Sequence, residues 1–388
     1  MYSSTMTEYE NPPDKKITDS DEPTAEIEAQ EAEQPIIWFN VFGIAALHLI
    51  AMHSVLFRWR EPQLYTWIFN IAWIFASGVG VTAGAHRLWA HRSYSANLPL
   101  RILLATLFCM IGQTHMHKWI RDHRTHHKFT ETKADPHDSR RGFFFSHVGW
   151  LMMKRHPAVI EYGKKIDMSD IEADPVIQWF DRYYDFTMCT LCFVIPSLII
   201  HYGWNEPWDL AILSVIVRYV FTLNATFCVN SLAHMLGNKP YNKYVRCRCN
   251  LVSASLALYE LMRQYYLSMI FEKFRVCFGW NSALVIDSER KFRAVENAGV
   301  SFFALGEGWH NYHHAFPWDY KAAELPSYGL NLTTAFIDFF ASIGWAYNLK
   351  TPSKEVIERV SLSKGDGTAS KWGVDYHQKK QEEEQKVR

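Results

Sequence analysis

Four stretches of this chain are apolar for long enough to cross a lipid bilayer, and no other feature restricts its fold so strongly. Hydrocarbon offers no water to backbone N–H and C=O groups, so each stretch must close its own hydrogen bonds as a helix. Residues 36–57 are apolar apart from Asn40, His48, His53 and Ser54. At about 1.5 Å per residue they reach across roughly 30 Å of hydrocarbon. Residues 65–85 follow a short loop containing Arg58, Arg60 and Pro62, and open with aromatic side chains suited to the interface. The short stretch 186–202, which contains Pro196, and the stretch 210–229, interrupted by Arg218 and Asn224, complete the set. A guanidinium at that depth is costly in lipid, so Arg218 is expected to face protein or a cavity. The predicted class is an all-α integral membrane protein with four transmembrane helices.

The remaining segments are read against those spans. Residues 1–35 are acidic and polar and read as a disordered tail. No basic segment followed by an apolar one opens the chain, which reads against a cleaved signal peptide. The apolar run 102–112 is too short to span and is expected to be a re-entrant or interfacial helix, and 330–345 an amphipathic or interfacial one. Residues 118–184 form a polar, Lys- and Arg-bearing section, which points to the cytosolic side. Four spans then return the chain to that side, with both termini and every histidine cluster on one face. Residues 246–292 are aromatic but cut by Glu260, Arg263, Glu272, Lys273 and Arg275, so they are not read as a span, and 351–388 is a charged tail. Residues 36–350 are the expected membrane domain.

Composition narrows the partners. The chain has 40 basic and 40 acidic residues, which gives no general attraction to nucleic acid. Its 7 cysteines show no disulfide framework and fit a reducing compartment. Cys189 and Cys192 have redox-motif spacing, but inside an apolar helix they read as packing.

The chemistry lies in the histidines at the ends of the apolar stretches. His123, His126 and His127 form an HxxHH pattern that is repeated by His310, His313 and His314, and His86 and His91 form a looser HxxxxH. Two histidines at i and i+3 or i+4 share a helix side, so these patterns offer several imidazoles to a common volume. Eight histidines are about twice what one tetrahedral zinc takes, which favours a two-metal site. No HExxH helix supplies a protease base, and no thiolates stand in the clusters, which argues against structural zinc or iron–sulfur centres. Imidazole-rich sites where an apolar substrate could arrive from lipid suit iron and dioxygen.

The words HRLWAH, WIRDHRTHHKFTETKADPH, RRGFFFSHVGW, NSLAH and GEGWHNYHHAFPWDY resemble the membrane-bound acyl-CoA desaturases of the stearoyl-CoA and insect pheromone-gland type, over residues 36–350. The resemblance implies a four-helix stem under a cytosolic helical cap holding a histidine-ligated di-iron centre, in the endoplasmic reticulum membrane. The implied ligands of two Fe ions are His86, His91, His123, His126, His127, His234, His310, His313 and His314, with Asn230 acting through a water. The implied reaction uses O2 to place a cis double bond in a saturated long-chain acyl-CoA, Δ9 by default with Δ11 open. Electrons would come from cytochrome b5 and its NADH-dependent reductase, since no GxGxxG follows a strand here. Trp119 and Thr226 match positions that line the bend of the acyl tunnel, and Arg121 and Asp122 are candidate coenzyme A contacts, with Arg140 and Arg141 as a weaker pair. His115, His117, His137, His147 and His156 are expected to be bystanders, at most one or two of them orienting a ligand, and His48, His53, His201 and His377 to pack or face solvent.

Two departures stand out. The run Gln113 to Lys118 differs from the usual family wording, which commonly has asparagine where Thr114 stands. Residues 246–292 have no counterpart: deleting them would join Tyr244-Val245 to Arg293-Ala294 and restore a familiar run, which marks a lineage-specific insertion or a retained intron. A genuine insertion must loop away from the metals or leave the enzyme inactive. The rival readings are a hydroxylase or acetylenase on the same ligands, and a histidine-rich metal transporter, which would need ligands at mid-membrane depth. Asn331-Leu332-Thr333 matches a glycosylation acceptor that a cytosolic face would leave unused.

Overall fold

The computed structural model describes residues 33–243, 294–324 and 328–369. Residues 246–292, nearly all of the N-terminal tail, and the C-terminal tail beyond residue 369 with its His377 lie outside them. Among the described residues four helical stretches are long and apolar enough to cross a membrane: α1 (Trp38–Phe57), α2 (Leu64–Ala90), α5 (Tyr184–Trp204) and the run Trp208–Met235. The last consists of α6 (Trp208–Asn230) and the short α7 (Leu232–Met235). Between the pairs lie α3 (Leu98–Cys109) and α4 (Met116–Phe129), and after them α8 (His310–Ala315) and α9 (Leu332–Ser342). On α1 only Ala51 and Ser54 are buried, while Phe39, Phe42 and Leu56 face outward, a surface that suits hydrocarbon.

The second span runs past its expected end. Its apolar pattern stops at residue 85, but every residue from Gly80 to Ala90 is buried, so polar side chains no longer end the helix. α3 starts where Asn97 Oδ1 accepts the Leu100 N–H at 3.1 Å, with Pro99 in the first turn. It lays Leu100, Leu104 and Phe108 against α2 and leaves Leu98 and Ile102 exposed. The approach is close enough that a Cβ on Gly80 would stand 2.2 Å from the Phe108 nitrogen. At twelve residues α3 cannot span. The amphipathic α9 buries Thr333, Ile337 and Phe340 and exposes Leu332 and Phe339. Ser95–Ala96 pairs antiparallel with Ala346–Tyr347, tying the end of the fold to the start of α3.

Some polar residues within the spans face protein, while His53 on α1 is exposed. Arg218 is buried and donates to the Cys192 carbonyl on α5. Cys192 is buried and Cys189 exposed, and both are free thiols. Asn331 caps α9, accepting the Thr334 N–H at 3.2 Å, and donates to the Lys321 carbonyl at 2.7 Å, so its amide is built into the fold.

Candidate metal centre

Nine histidines converge in two groups at the ends of α2, α4, α7 and α8. One comprises His86, His91, His123, His127 and His313, the other His126, His234, His310 and His314, with ligand atoms within 4.8 Å of one another in each group. The HxxHH patterns do not each serve one volume. Consecutive residues on an α-helix are about 100° apart, so His126 points away from the His123–His127 pair at i and i+4. On α8 the same geometry separates His313 from His310 and His314. The HxxxxH spacing needs another device, since five residues of α-helix turn about 140° past a full revolution. From Gly80 to Ala90 the helix is wound as a π-helix, and the His91 N–H bonds the His86 carbonyl at 3.0 Å, which brings residues five apart onto one side.

The nitrogens stand where ligands of a metal would stand. His86 Nε2 lies 3.0 Å from His313 Nε2, which lies 3.0 Å from His127 Nε2, and His91 and His123 are 2.8 Å apart. In the other group His310 Nε2 is 3.0 Å from both His234 and His314. Ligands at right angles around one ion, at about 2.1 Å from it, are about 3 Å apart. Protons alone do not account for these contacts. His86 Nδ1 lies 2.9 Å from Glu307 and His126 Nδ1 lies 2.9 Å from Asp135, which places the ring proton on Nδ1 and turns an Nε2 lone pair inward. Crowded lone pairs of this kind fit cations. Burial pushes His91, His123, His127, His313 and His314 well below the usual histidine range and His310 to about 3, and so keeps the neutral, metal-binding form. Burial pushes the Glu307 carboxyl up, but Arg87 and His86 hold it at about 2.

An apolar cavity runs from these histidines between α2 and α6. Ile74, Gly78, Val81, Ile111, Trp119, Thr222, Thr226, Val229 and Asn230 line it, with Leu305 and Glu307. Trp119 and Thr226, the expected bend residues, are joined by an amide that sequence reasoning did not single out. Trp119 donates to Gln113 Oε1 at 2.8 Å, and Gln113 donates to Thr226 Oγ1 at 2.9 Å. Only its place in the divergent run before α4 pointed to Gln113. His137, expected to be a bystander, lines the same cavity and groups with His126 and Asp135.

The coenzyme A candidates are placed differently. None of Arg121, Asp122, Arg140 and Arg141 lines the cavity. Asp122 is buried and accepts both terminal nitrogens of Arg155, one at 2.7 Å. Arg121 lies 3.8 Å from Asp122 and is partly exposed. Arg140 pairs with Asp138 at 2.8 Å, and Arg141 stacks its guanidinium 3.4 Å over Phe145.

The flanks of 246–292 meet beside the centre. Asn311, next to His310, accepts the Tyr241 N–H at 2.8 Å and donates to the Asn242 carbonyl at 3.3 Å and the Ala294 carbonyl at 2.8 Å. Val295 bonds back to the Ala233 carbonyl at 2.7 Å. A Cβ on Gly237, which has φ 156°, would meet the Glu296 carbonyl at 2.1 Å, so only glycine fits the crossing. The chain therefore leaves and returns at adjacent points, and His310 reaches His234.

Comparison with known proteins follows the same lines. The chain is 45% identical over 357 residues to an acyl-CoA Delta-9 desaturase of Acheta domesticus, covering 90% of this chain and 86% of the relative. It is 41% identical over 340 residues to an acyl-CoA Delta(11) desaturase of Spodoptera littoralis, covering 88% and 86%. To the stearoyl-CoA desaturase of Homo sapiens it is 40% identical over 332 residues, covering 85% and 79%. Residues 65–348 match the pattern of the family described as fatty acid desaturase. With most of its length so matched, this multi-pass membrane chain belongs to the fatty acid desaturase family.

Proposed function

We propose that the chain is an acyl-CoA desaturase that uses O2 to introduce a cis double bond into a saturated long-chain acyl-CoA. The observation that carries this reading is the pairing of two convergent histidine groups with an apolar cavity that leads from them between two spans. His86, His91, His123, His127 and His313 would hold one iron. His126, His234, His310 and His314 would hold the other, with Asn230 acting through a water. When bound, the iron pair would supply, with dioxygen, the oxidising power that removes one hydrogen from each of two adjacent unactivated carbons.

The protein decides which bond is presented. Apolar walls from α2 and α6 take the acyl chain out of water, and the Trp119–Gln113–Thr226 hydrogen bonds brace one place where the chain must bend. Glu307 and Asp135 fix the tautomers of His86 and His126, so those rings face the centre before any metal arrives. The relatives carry Delta-9 and Delta(11) in their names, and Δ9 is the default position proposed here. Electrons are assigned to cytochrome b5 and its NADH-dependent reductase. The location proposed is the endoplasmic reticulum membrane, with both termini cytosolic.

Expression in a desaturase-deficient yeast tests the reading. Growth without added unsaturated fatty acid, and a double bond located by mass spectrometry, are expected. Protein made under iron-replete conditions that carries zinc without iron, or that yields hydroxylated chains alone, would refute it.

A further inference from the structure

We propose that His147 is a positioning residue for the metal centre: through Ser231 it holds the break between α6 and α7 that aims Asn230 and His234. The proposal rests on the two-iron reading above. His147 lies in the turn Phe145–Gly149, is buried, and belongs to neither histidine group. Its Nδ1 stands 2.9 Å from Ser231 Oγ and its Nε2 stands 3.1 Å from Asn224 Oδ1. The Asn224 amide nitrogen lies 2.9 Å from His48 Nε2 and 2.8 Å from the Val220 carbonyl, and His48 Nδ1 lies 2.8 Å from the Ile44 carbonyl.

These contacts settle the protons. A carbonyl can only accept, so His48 carries its proton on Nδ1 and accepts from Asn224 at Nε2. Asn224 Oδ1 then accepts from His147 Nε2–H. A neutral imidazole has one N–H, which leaves His147 Nδ1 to accept the Ser231 hydroxyl. Burial, which pushes His147 down to about 4, agrees with the neutral ring. The chain of bonds runs one way, from Ser231 through His147 and Asn224 to His48, and joins the segment Phe145–Gly149 to α6 and α1. Between spans, where burial of apolar surface does not drive association, such bonds hold helices together.

Ser231 is where this chain meets the centre. It stands in the break, with φ −113° and ψ −71°. On one side of it Asn230 lines the cavity, and three residues on, His234 Nε2 lies 3.0 Å from His310. The Phe227 carbonyl also lies 2.9 Å from the serine hydroxyl, so without His147 the hydroxyl keeps only that local partner and the break loses its outside anchor. Rings of Phe143 and Phe227 flank His147 at 5.0 and 5.6 Å, so a phenylalanine there keeps the volume and removes the bonds.

The test is iron stoichiometry and affinity on the full-length chain in detergent, by chelator competition, for wild type, His147→Phe, His147→Gln and Ser231→Ala. Wild type is expected to bind two ions. In His147→Phe the ion assigned to His126, His234, His310 and His314 should weaken by about 10–100-fold while the other is unchanged. Ser231→Ala should shift the same ion less. His147→Gln, which accepts and donates at the same two points, should restore it. With Co(II) in place of iron, the visible absorption of one of the two ions should change in His147→Phe. Two ions at wild-type affinity in His147→Phe, or equal weakening of both ions in His147→Phe and His147→Gln alike, would overturn the proposal. If His147→Phe does not fold, unchanged affinities in Ser231→Ala overturn it. Wild-type protein that binds fewer than two ions refutes the two-iron reading instead.

Discussion

Asp135 and Glu307 each accept a ring N–H from one histidine, and the two histidines belong to different groups. A carboxylate in that position fixes the tautomer and raises the basicity of the other nitrogen. Asp135→Asn is therefore expected to weaken the ion assigned to the His126 group by about 10–100-fold, read by chelator competition, and to leave the other group unaffected. Glu307 has a second duty, because it also takes the buried Arg87 guanidinium at 2.9 Å. Glu307→Gln leaves that charge without its partner, and a loss of about 3–5 kcal/mol in thermal or denaturant unfolding is expected. Gly78 tests the cavity wall. A Cβ there would stand 2.7 Å from Leu305 Cδ1, a flexible tip that can move, so Gly78→Phe should fold and keep its metal while blocking long chains. Unchanged activity on long-chain substrates would show that the acyl chain runs elsewhere.

At the scale of elements, the centre depends on how α2 ends and how α4 is attached to it. Arg124, beside His123, donates to the Trp89 and Ala90 carbonyls at 2.7 and 3.1 Å and so satisfies the last turn of α2. It also donates to Asp170, at 2.8 Å, and to the Asp167 carbonyl, at 2.6 Å. Burial pushes the Asp170 carboxyl up, but hydrogen bonds from Arg124 and Arg92 outweigh it and hold the group below the usual aspartate range. A carboxylate with its pKa lowered in the fold contributes stability above its unfolded value of about 3.9 and loses it as pH falls through the lower, folded value. The melting temperature of wild type should therefore exceed that of Asp170→Asn at pH 6, and the gap should close as the medium is acidified below about pH 4. A gap independent of pH would show that the ion pairs are not its source.

The whole molecule brings together segments more than two hundred residues apart, and the stretch 246–292 interrupts one of them. Asn242 and Ala294, on either side of it, are both held by Asn311, so a chain joined from Val245 to Arg293 closes a loop whose described ends already lie close together. The deletion is expected to keep both metals and the same double-bond position, measured by iron content and product analysis. Loss of iron with the fold intact would mean that the stretch supports the centre.

Spans and metal chemistry were legible in the sequence because both are local properties. Apolar length reports the bilayer, and imidazoles crowded at the ends of apolar stretches report a cation. Residues 36–57 and Trp38–Phe57 agree to within two positions for that reason. What the tertiary structure alone decided is which nitrogens meet. His126 parts from its neighbour His127, and His313 from His314, because adjacent helix positions face different ways and the two histidine groups lie on different sides. His86 and His91 meet only through a π-wound turn that burial sustains. Gln113, Asp135 and His147 carry no periodic signal at all. Their roles come from what stands opposite them across the fold, and a linear pattern holds no record of that.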